Sequence, residues 1–285
     1  MRGGIRGAAL ASRIYLVLVL VTMYIPILLV IIYSFNESRL SSVWSGFTLD
    51  WYAELFRDRA MFGALLNSII LGAVSSLLAA VIGTLGAVGI NRPQPAQLEH
   101  PGLRPLGGRF GKILEYLSIL PIMTPEIILG MVLLVFFSLL GLPLGMLSLI
   151  IAHTCFCIPY VYLLVKARLA GLDKSYVEAA RDLGAGESRA FIDITLPLIL
   201  PAVVSGILLA FAMSFDDVII SSFVTGPGAN TLPIRIYSQM KTGVTPKTNA
   251  LCTLVFAATI LLCSISAWLA RPPKKRENIL NTCEN

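Results

Sequence analysis

Six long apolar blocks separated by short polar segments dominate this 285-residue chain. They cover roughly 14–35, 65–90, 113–140, 144–165, 198–222 and 249–269. Each meets the requirement of about 20 residues, rising about 1.5 Å apiece, for a helix that crosses a hydrocarbon layer. A bilayer core holds no water to satisfy bare backbone groups, so such segments close their hydrogen bonds internally, as helices. Apolar residues arranged in blocks, and not at amphipathic spacing, cannot hide in one water-soluble core. Composition agrees, with 56% hydrophobic residues, 13% charged residues and a mean hydropathy of +0.81. A soluble domain carries about 25% charged residues, so a soluble enzyme is excluded. The expectation is an all-α membrane protein: a 1–13 tail, a six-span domain over 14–269 set in the lipid bilayer, and a 270–285 tail.

Basic residues near span ends stay on the cytoplasmic side. With the N-terminus inside, 16 of the 22 Lys and Arg fall inside. These are Arg2, Arg6, Arg13, Arg92, Arg104, Arg109, Lys112, Lys166, Arg168, Lys174, Arg181, Arg189, Arg271, Lys274, Lys275 and Arg276. The outer 6 are Arg39, Arg57, Arg59, Arg235, Lys241 and Lys247. Both termini are therefore expected to be cytoplasmic, and 166–197 is the largest inner loop. The net charge of +6 reflects this topology and requires no nucleic acid. The first block follows a basic stretch, as a signal peptide would, but no small-residue cleavage site follows it, so it reads as an uncleaved span.

Five cysteines, Cys155, Cys157, Cys252, Cys263 and Cys283, are odd in number and fall in spans or on the inner side, against a disulfide framework. Cys155 and Cys157 share a span with His153, but residues two apart do not share a helix face and zinc sites use other spacings. Packing, and no metal, is expected there. Gly107, Gly108, Gly111 and Lys112 fail the spacing of a phosphate loop, with Ile113 where a hydroxyl residue belongs. The nucleophile-elbow and metalloprotease motifs are also absent. No catalytic residue is expected, and uphill movement would need energy from a partner or an ion gradient.

The inner loop reads Glu178, Ala179, Ala180, three residues, Gly184, nine residues, Ile194, one residue, Leu196, Pro197. The composition predicts a short helix over 175–183, a left-handed stop at Gly184, and a second helix from Glu187 to Thr195 ended by Pro197. Val177, Ala180, Leu183, Phe191 and Ile194 are more apolar residues than a mere connection needs, which predicts a knob that plugs into a partner. This spacing resembles the signature loop of membrane permease subunits of bacterial ABC importers. The resemblance implies the type I permease fold, with this loop, Glu187 included, docking into an ATP-binding subunit and carrying its movement to the spans. It extends along nearly the whole chain to permeases of polyamine importers for spermidine and putrescine. The residues that carry it are 24–38, 48–52, 125–127, 214–227 (SFDDVIISSFVTGP), Leu232, Pro233, Ile236 and Tyr237. It also implies a bacterial inner-membrane location, a second permease subunit, a pair of ATP-binding subunits holding the ATP and Mg, and a periplasmic binding protein. Importers for iron, sulfate, molybdate or phosphonate share the inner loop, so the loop sets the class and the acidic stretch suggests the substrate.

A carboxylate in hydrocarbon costs at least about 2.5 kcal/mol, so one placed there usually faces a pathway or a partner. Glu126, Asp216 and Asp217 qualify. Polyamine ammonium groups need carboxylate counter-ions between aromatic or apolar walls. Ser214, Asp217 and Ser221 at i, i+3 and i+7 would make a polar track on one helix face, which favours Asp217 over Asp216, turned about 100° away. Pro121 and Pro125 would loosen the helix around Glu126. Trp51 is either an interfacial anchor or a surface for stacking an ammonium. Gly83, Gly86 and Gly89 suggest a close helix-packing face. Two further readings stand beside the importer. An aspartyl protease is disfavoured because adjacent aspartates on one helix cannot face each other. A proton-coupled cation transporter using Asp216 or Asp217 would need no ATP.

Overall fold

The computed structural model describes residues 2–38, 43–90, 109–173 and 175–269, with side chains left out at 2–11, 109–110, 112, 242, 262–263 and 265–269. Arg39, Arg92, Arg104, Lys174, Arg271, Lys274, Lys275, Arg276, Gly107, Gly108, Cys283 and the 270–285 tail lie outside the described residues.

The regular elements of the described chain are helices, beside one antiparallel bridge between Asn36 and Phe47: α1 (Arg2–Tyr33), α2 (Asp50–Arg57), α3 (Arg59–Ile90), α4 (Arg109–Met123), α5 (Glu126–Leu139), α6 (Met146–Ala170), α7 (Ser175–Asp182), α8 (Glu187–Ala190), a π-helical turn (Phe191–Thr195), α9 (Leu196–Asp216), α10 (Ile219–Val224), α11 (Leu232–Thr242) and α12 (Pro246–Leu269). Four stretches are long and apolar enough to cross a membrane: Ser12–Tyr33, Arg59–Ile90, Met146–Ala170 and Glu187–Asp216. The bent pair α4 and α5 makes a fifth if counted as one span, and Pro246–Leu261 is a shorter apolar helix.

Two compact units divide the chain, 60–238 and 1–59 with 239–285. In the terminal unit α12 packs on α1 and α2. Lys247, in the first turn of α12, pairs with Glu54 (3.0 Å) and Asp58 (2.9 Å) at the C-terminal end of α2. The turn after α1 folds around buried Asn36, whose side-chain amide donates to Val43 O and accepts Ser45 N–H.

The central unit is held by close helix contacts at small residues. A Cβ on Gly83 of α3 would stand 3.0 Å from Ile158 O and 3.1 Å from Tyr162 N of α6, and one on Gly206 of α9 would stand 3.2 Å from a Val161 methyl. The expected glycine stripe is only partly used. Gly86 would make ordinary contact with Tyr162, and a Cβ on Gly89 would meet nothing within 4 Å. A three-residue period drifts around a helix of 3.6 residues per turn, so the buried face of α3 instead follows Leu71, Ser75, Ala79, Gly83 and Ala87.

Three expectations about continuity are corrected. The third apolar block is two helices, α4 and α5, bent by 110° at Thr124 and Pro125. Proline lacks the N–H a helix needs and pushes the preceding residue out of helical geometry. The fifth block is a helix only to Asp216; Asp217 is extended (φ −66°, ψ 128°) and α10 restarts at Ile219. Pro197 does not end the second loop helix. Leu196 N–H reaches back five residues to Phe191 O, and this widened turn joins α8 to α9 into one stretch, Glu187–Asp216. A π turn is a usual way to fit a disturbed helical ladder.

Candidate functional site at the broken helix end

Ser214, Asp217 and Ser221 do converge, but through a break in the chain and not through helical periodicity. All three surround His153 of α6, which is wholly buried. Its Nδ1 lies 2.7 Å from Ser214 Oγ, and its Nε2 lies 2.9 Å from Ser221 Oγ and 3.5 Å from the Asp217 carboxylate. Asp217 in turn accepts the backbone N–H of Ile220 (3.2 Å) and of Ser221 (2.8 Å). These two donors open α10 and have no carbonyl a turn earlier to receive them. The side chain thus serves as the cap that lets the helix stop at Asp216 and start again at Ile219.

The expected preference for Asp217 over Asp216 as the carboxylate facing a pathway does not match this geometry. Asp217 is buried, with its oxygens turned to α10 and His153, whereas Asp216 is exposed and makes no ion pair or hydrogen bond to another residue's side chain among the described residues. Ser214 is buried beside His153 as well. Glu126 occupies the first turn of α5, where a carboxylate suits the positive end of the helix dipole. Packing joins α5 to α10 closely: a Cβ on Gly130 would stand 2.6 Å from the Phe223 ring. Trp51 belongs to the terminal unit, where its indole N–H donates to Asn36 O at 2.7 Å. Among the described residues no group of three His, Cys, Asp or Glu could hold a metal ion.

Sequence reasoning placed His153 only in packing beside Cys155 and Cys157 and did not link it to Ser214, Asp217 and Ser221. A lone histidine on an apolar helix carries no local signal; its partners are 61 and 68 residues away.

The inner loop has the predicted turn. Gly184 sits at φ +84°, with its N–H on Arg181 O (2.8 Å) and Ala185 N–H on Ala180 O (3.0 Å), a left-handed helix stop that costs glycine little. Arg181 pairs with Glu187 across it at 3.5 Å. Asp173 accepts the Ser175 N–H at the start of α7, and that backbone bond, then the serine side chain, holds its carboxyl below the usual range. Of the expected docking residues, Ala180 is buried, Phe191 packs against the core, and Val177 and Ile194 are half-buried. The outward apolar residues are Leu183, 90% exposed, with Tyr176 and Ile192. Glu178, Ala179 and Glu187 are exposed, Leu196 is half-buried, and Pro197 is exposed.

Helices of spanning length, two broken apolar segments carrying carboxylates, and a stiff polar loop between spans define a multi-pass helical membrane component. The chain belongs to the family of inner membrane components of binding-protein-dependent transport systems, whose model matches residues 102–271. It is 41% identical over 263 residues to the putrescine transport system permease protein PotI of Escherichia coli K12, covering 89% of each chain. It is 40% identical over 253 residues to the spermidine/putrescine transport system permease protein PotC of the same organism, covering 89% of this chain and 91% of the other. The fold is similar to that of a chain in a bacterial ABC transporter involved in the import of the acidic polysaccharide alginate, with a TM-score of 0.69 at 13% identity over 93% of this chain and 95% of that one.

Proposed function

We propose that this chain is the transmembrane permease subunit of an ATP-driven importer of polyamines, spermidine or putrescine, working by alternating access in a bacterial inner membrane. The observation that carries this reading is the exposed, unpaired Asp216 at the end of a spanning helix, in a chain whose close relatives carry putrescine and spermidine in their names. A carboxylate there is a counter-ion for a cationic ligand. Glu126 at the neighbouring break supplies a second charge. The chain crosses the membrane six times, with tails 1–13 and 270–285 in the cytoplasm. It performs no catalysis; ATP and Mg are bound by a pair of ATP-binding subunits. A second permease subunit completes the membrane domain, and a periplasmic binding protein delivers the ligand.

The 166–197 loop couples the two halves of the cycle. Its rigid Gly184 turn holds Leu183 out as a knob, and movement passes through the π turn at 191–195 directly into α9, whose far end is Asp216. ATP-dependent uptake of labelled spermidine and putrescine into proteoliposomes holding the complete transporter tests the reading. Uptake that needs ATP supports it. Uptake driven by a proton gradient without ATP would replace it with a secondary transporter. Uptake of another solute alone, of the iron, sulfate or molybdate kind, would keep the importer and discard the polyamine. A Leu183→Ser chain should assemble normally yet hydrolyse ATP with little transport.

A further inference from the structure

We propose that His153 is a positioning residue of the substrate route: it clamps the break between α9 and α10, keeps Asp217 turned inward, and leaves Asp216 as the carboxylate offered to a cationic ligand. This inference deepens the polyamine reading and rests on it for the identity of the ligand.

No proline or glycine makes this break. Residues 214–219 contain neither Pro nor Gly, and a run of apolar and hydroxyl residues in a spanning segment would otherwise continue as a helix. What ends α9 is a set of side-chain bonds, the local Asp217 cap and the clamp that His153 makes from a distance. The imidazole is one rigid plane whose two nitrogens lie on opposite sides, so it ties Ser214, before the break, to Ser221, after it. The Asp217 carboxylate at 3.5 Å from Nε2 favours the tautomer with its proton on that nitrogen. Nε2–H then donates to Ser221 Oγ, and the Ser214 hydroxyl donates to Nδ1. Every polar group in the cluster thereby has a partner, as buried groups require. In a continuous helix Asp217 would lie about 100° round from Asp216 and Ser221 would bond within the ladder. With the clamp in place, the two neighbouring carboxylates have opposite fates: one buried and saturated, the other exposed.

The test uses the complete transporter in native-like membranes and the hydrophobic carboxyl reagent dicyclohexylcarbodiimide, with modified residues located by fragmentation mass spectrometry. In the wild type Asp216 should be modified and Asp217 spared, and excess spermidine should protect Asp216. His153→Ala should open Asp217 to the reagent and lower spermidine uptake about tenfold, the scale of leaving one or two buried groups unsatisfied. His153→Gln, whose amide can still span both serines, should recover part of both readouts. Asp217→Asn combined with His153→Ala should be no worse than the poorer single variant, because the two act as one unit. Should His153→Ala fail to assemble, Ser221→Ala removes one hydroxyl from the clamp and should still raise Asp217 modification. Equal modification of both aspartates in the wild type, or wild-type labelling and uptake in His153→Ala, would overturn the inference. The predicted labelling pattern in a transporter that moves no polyamine would instead sink the substrate and leave the clamp standing.

Discussion

Two apolar segments of this molecule break partway, and they break for different reasons. At 124–125 the cause is local. Pro125 sits at the start of α5 with φ −54° and ψ 132° before it enters the helix, and the 110° bend follows from its missing N–H and its effect on Thr124. At 217–218 the cause is a side-chain network: the local Asp217 cap on Ile220 and Ser221, and the distant His153, contributed by α6. A proline-made break survives whatever surrounds it, whereas a network-made break exists only while its partners are in place. The second kind therefore depends on α6 staying packed beside α9 and α10, and it answers to substitution of residues far away in the chain.

Substitutions that separate the two mechanisms can be ranked by expected effect. The largest belongs to Gly226, just beyond α10, where a Cβ would stand 2.0 Å from the Leu144 carbonyl oxygen. Backbone cannot swing aside as a side chain can, so Gly226→Ala should cost about 3 kcal/mol, at the upper end for overpacking, read as a sharp fall in the unfolding midpoint of the purified complex. Next is Asp217→Asn, which turns an amide donor toward one of the two N–H groups now held by carboxylate oxygens. A loss of about 1–3 kcal/mol is expected, again in the unfolding midpoint, and a wild-type midpoint would show that α10 needs no cap. Pro125→Ala removes the local cause of the first bend and should lengthen the separation of spin labels at Ser118 and Ser138 toward the span of a straight helix, about 1.5 Å per residue; an unchanged distance would mean that this bend too is imposed by packing. The smallest effect is expected for Glu126→Gln, a half-buried side chain outside any clamp, with a stability change within about 0.5 kcal/mol but a measurable loss of spermidine uptake.

Much of the fold was legible without coordinates, and the parts that were not share a cause. Helices at the six apolar blocks, the Gly184 turn and the loosened backbone near Glu126 all follow from propensity, from the positive φ that glycine tolerates, and from proline chemistry. Ser214, Asp217 and Ser221 lie together, but buried around His153 and not along one helix face, because a helical period was extended through a point where the helix stops. The expected facing of Asp217 rested on the same extension, and the structure instead buries Asp217 and exposes Asp216: a face assigned by 100° steps means nothing beyond a break. Pro197 was taken as a terminator because its missing N–H disfavours a regular α-helix; the π turn ahead of it absorbs the defect and lets the stretch run on.

By itself the sequence therefore determined the solvent this protein lives in, the family it resembles, and every turn whose cause lies within about four residues. Only the tertiary structure decided where α9 stops, that His153 meets Ser214, Asp217 and Ser221, and which of two adjacent aspartates is buried. Hydrogen-bonding partners more than 60 residues away leave no period and no local composition to read. A buried polar group must still find a partner, and the fold, which brings α6 beside α9 and α10, selects which partner that is.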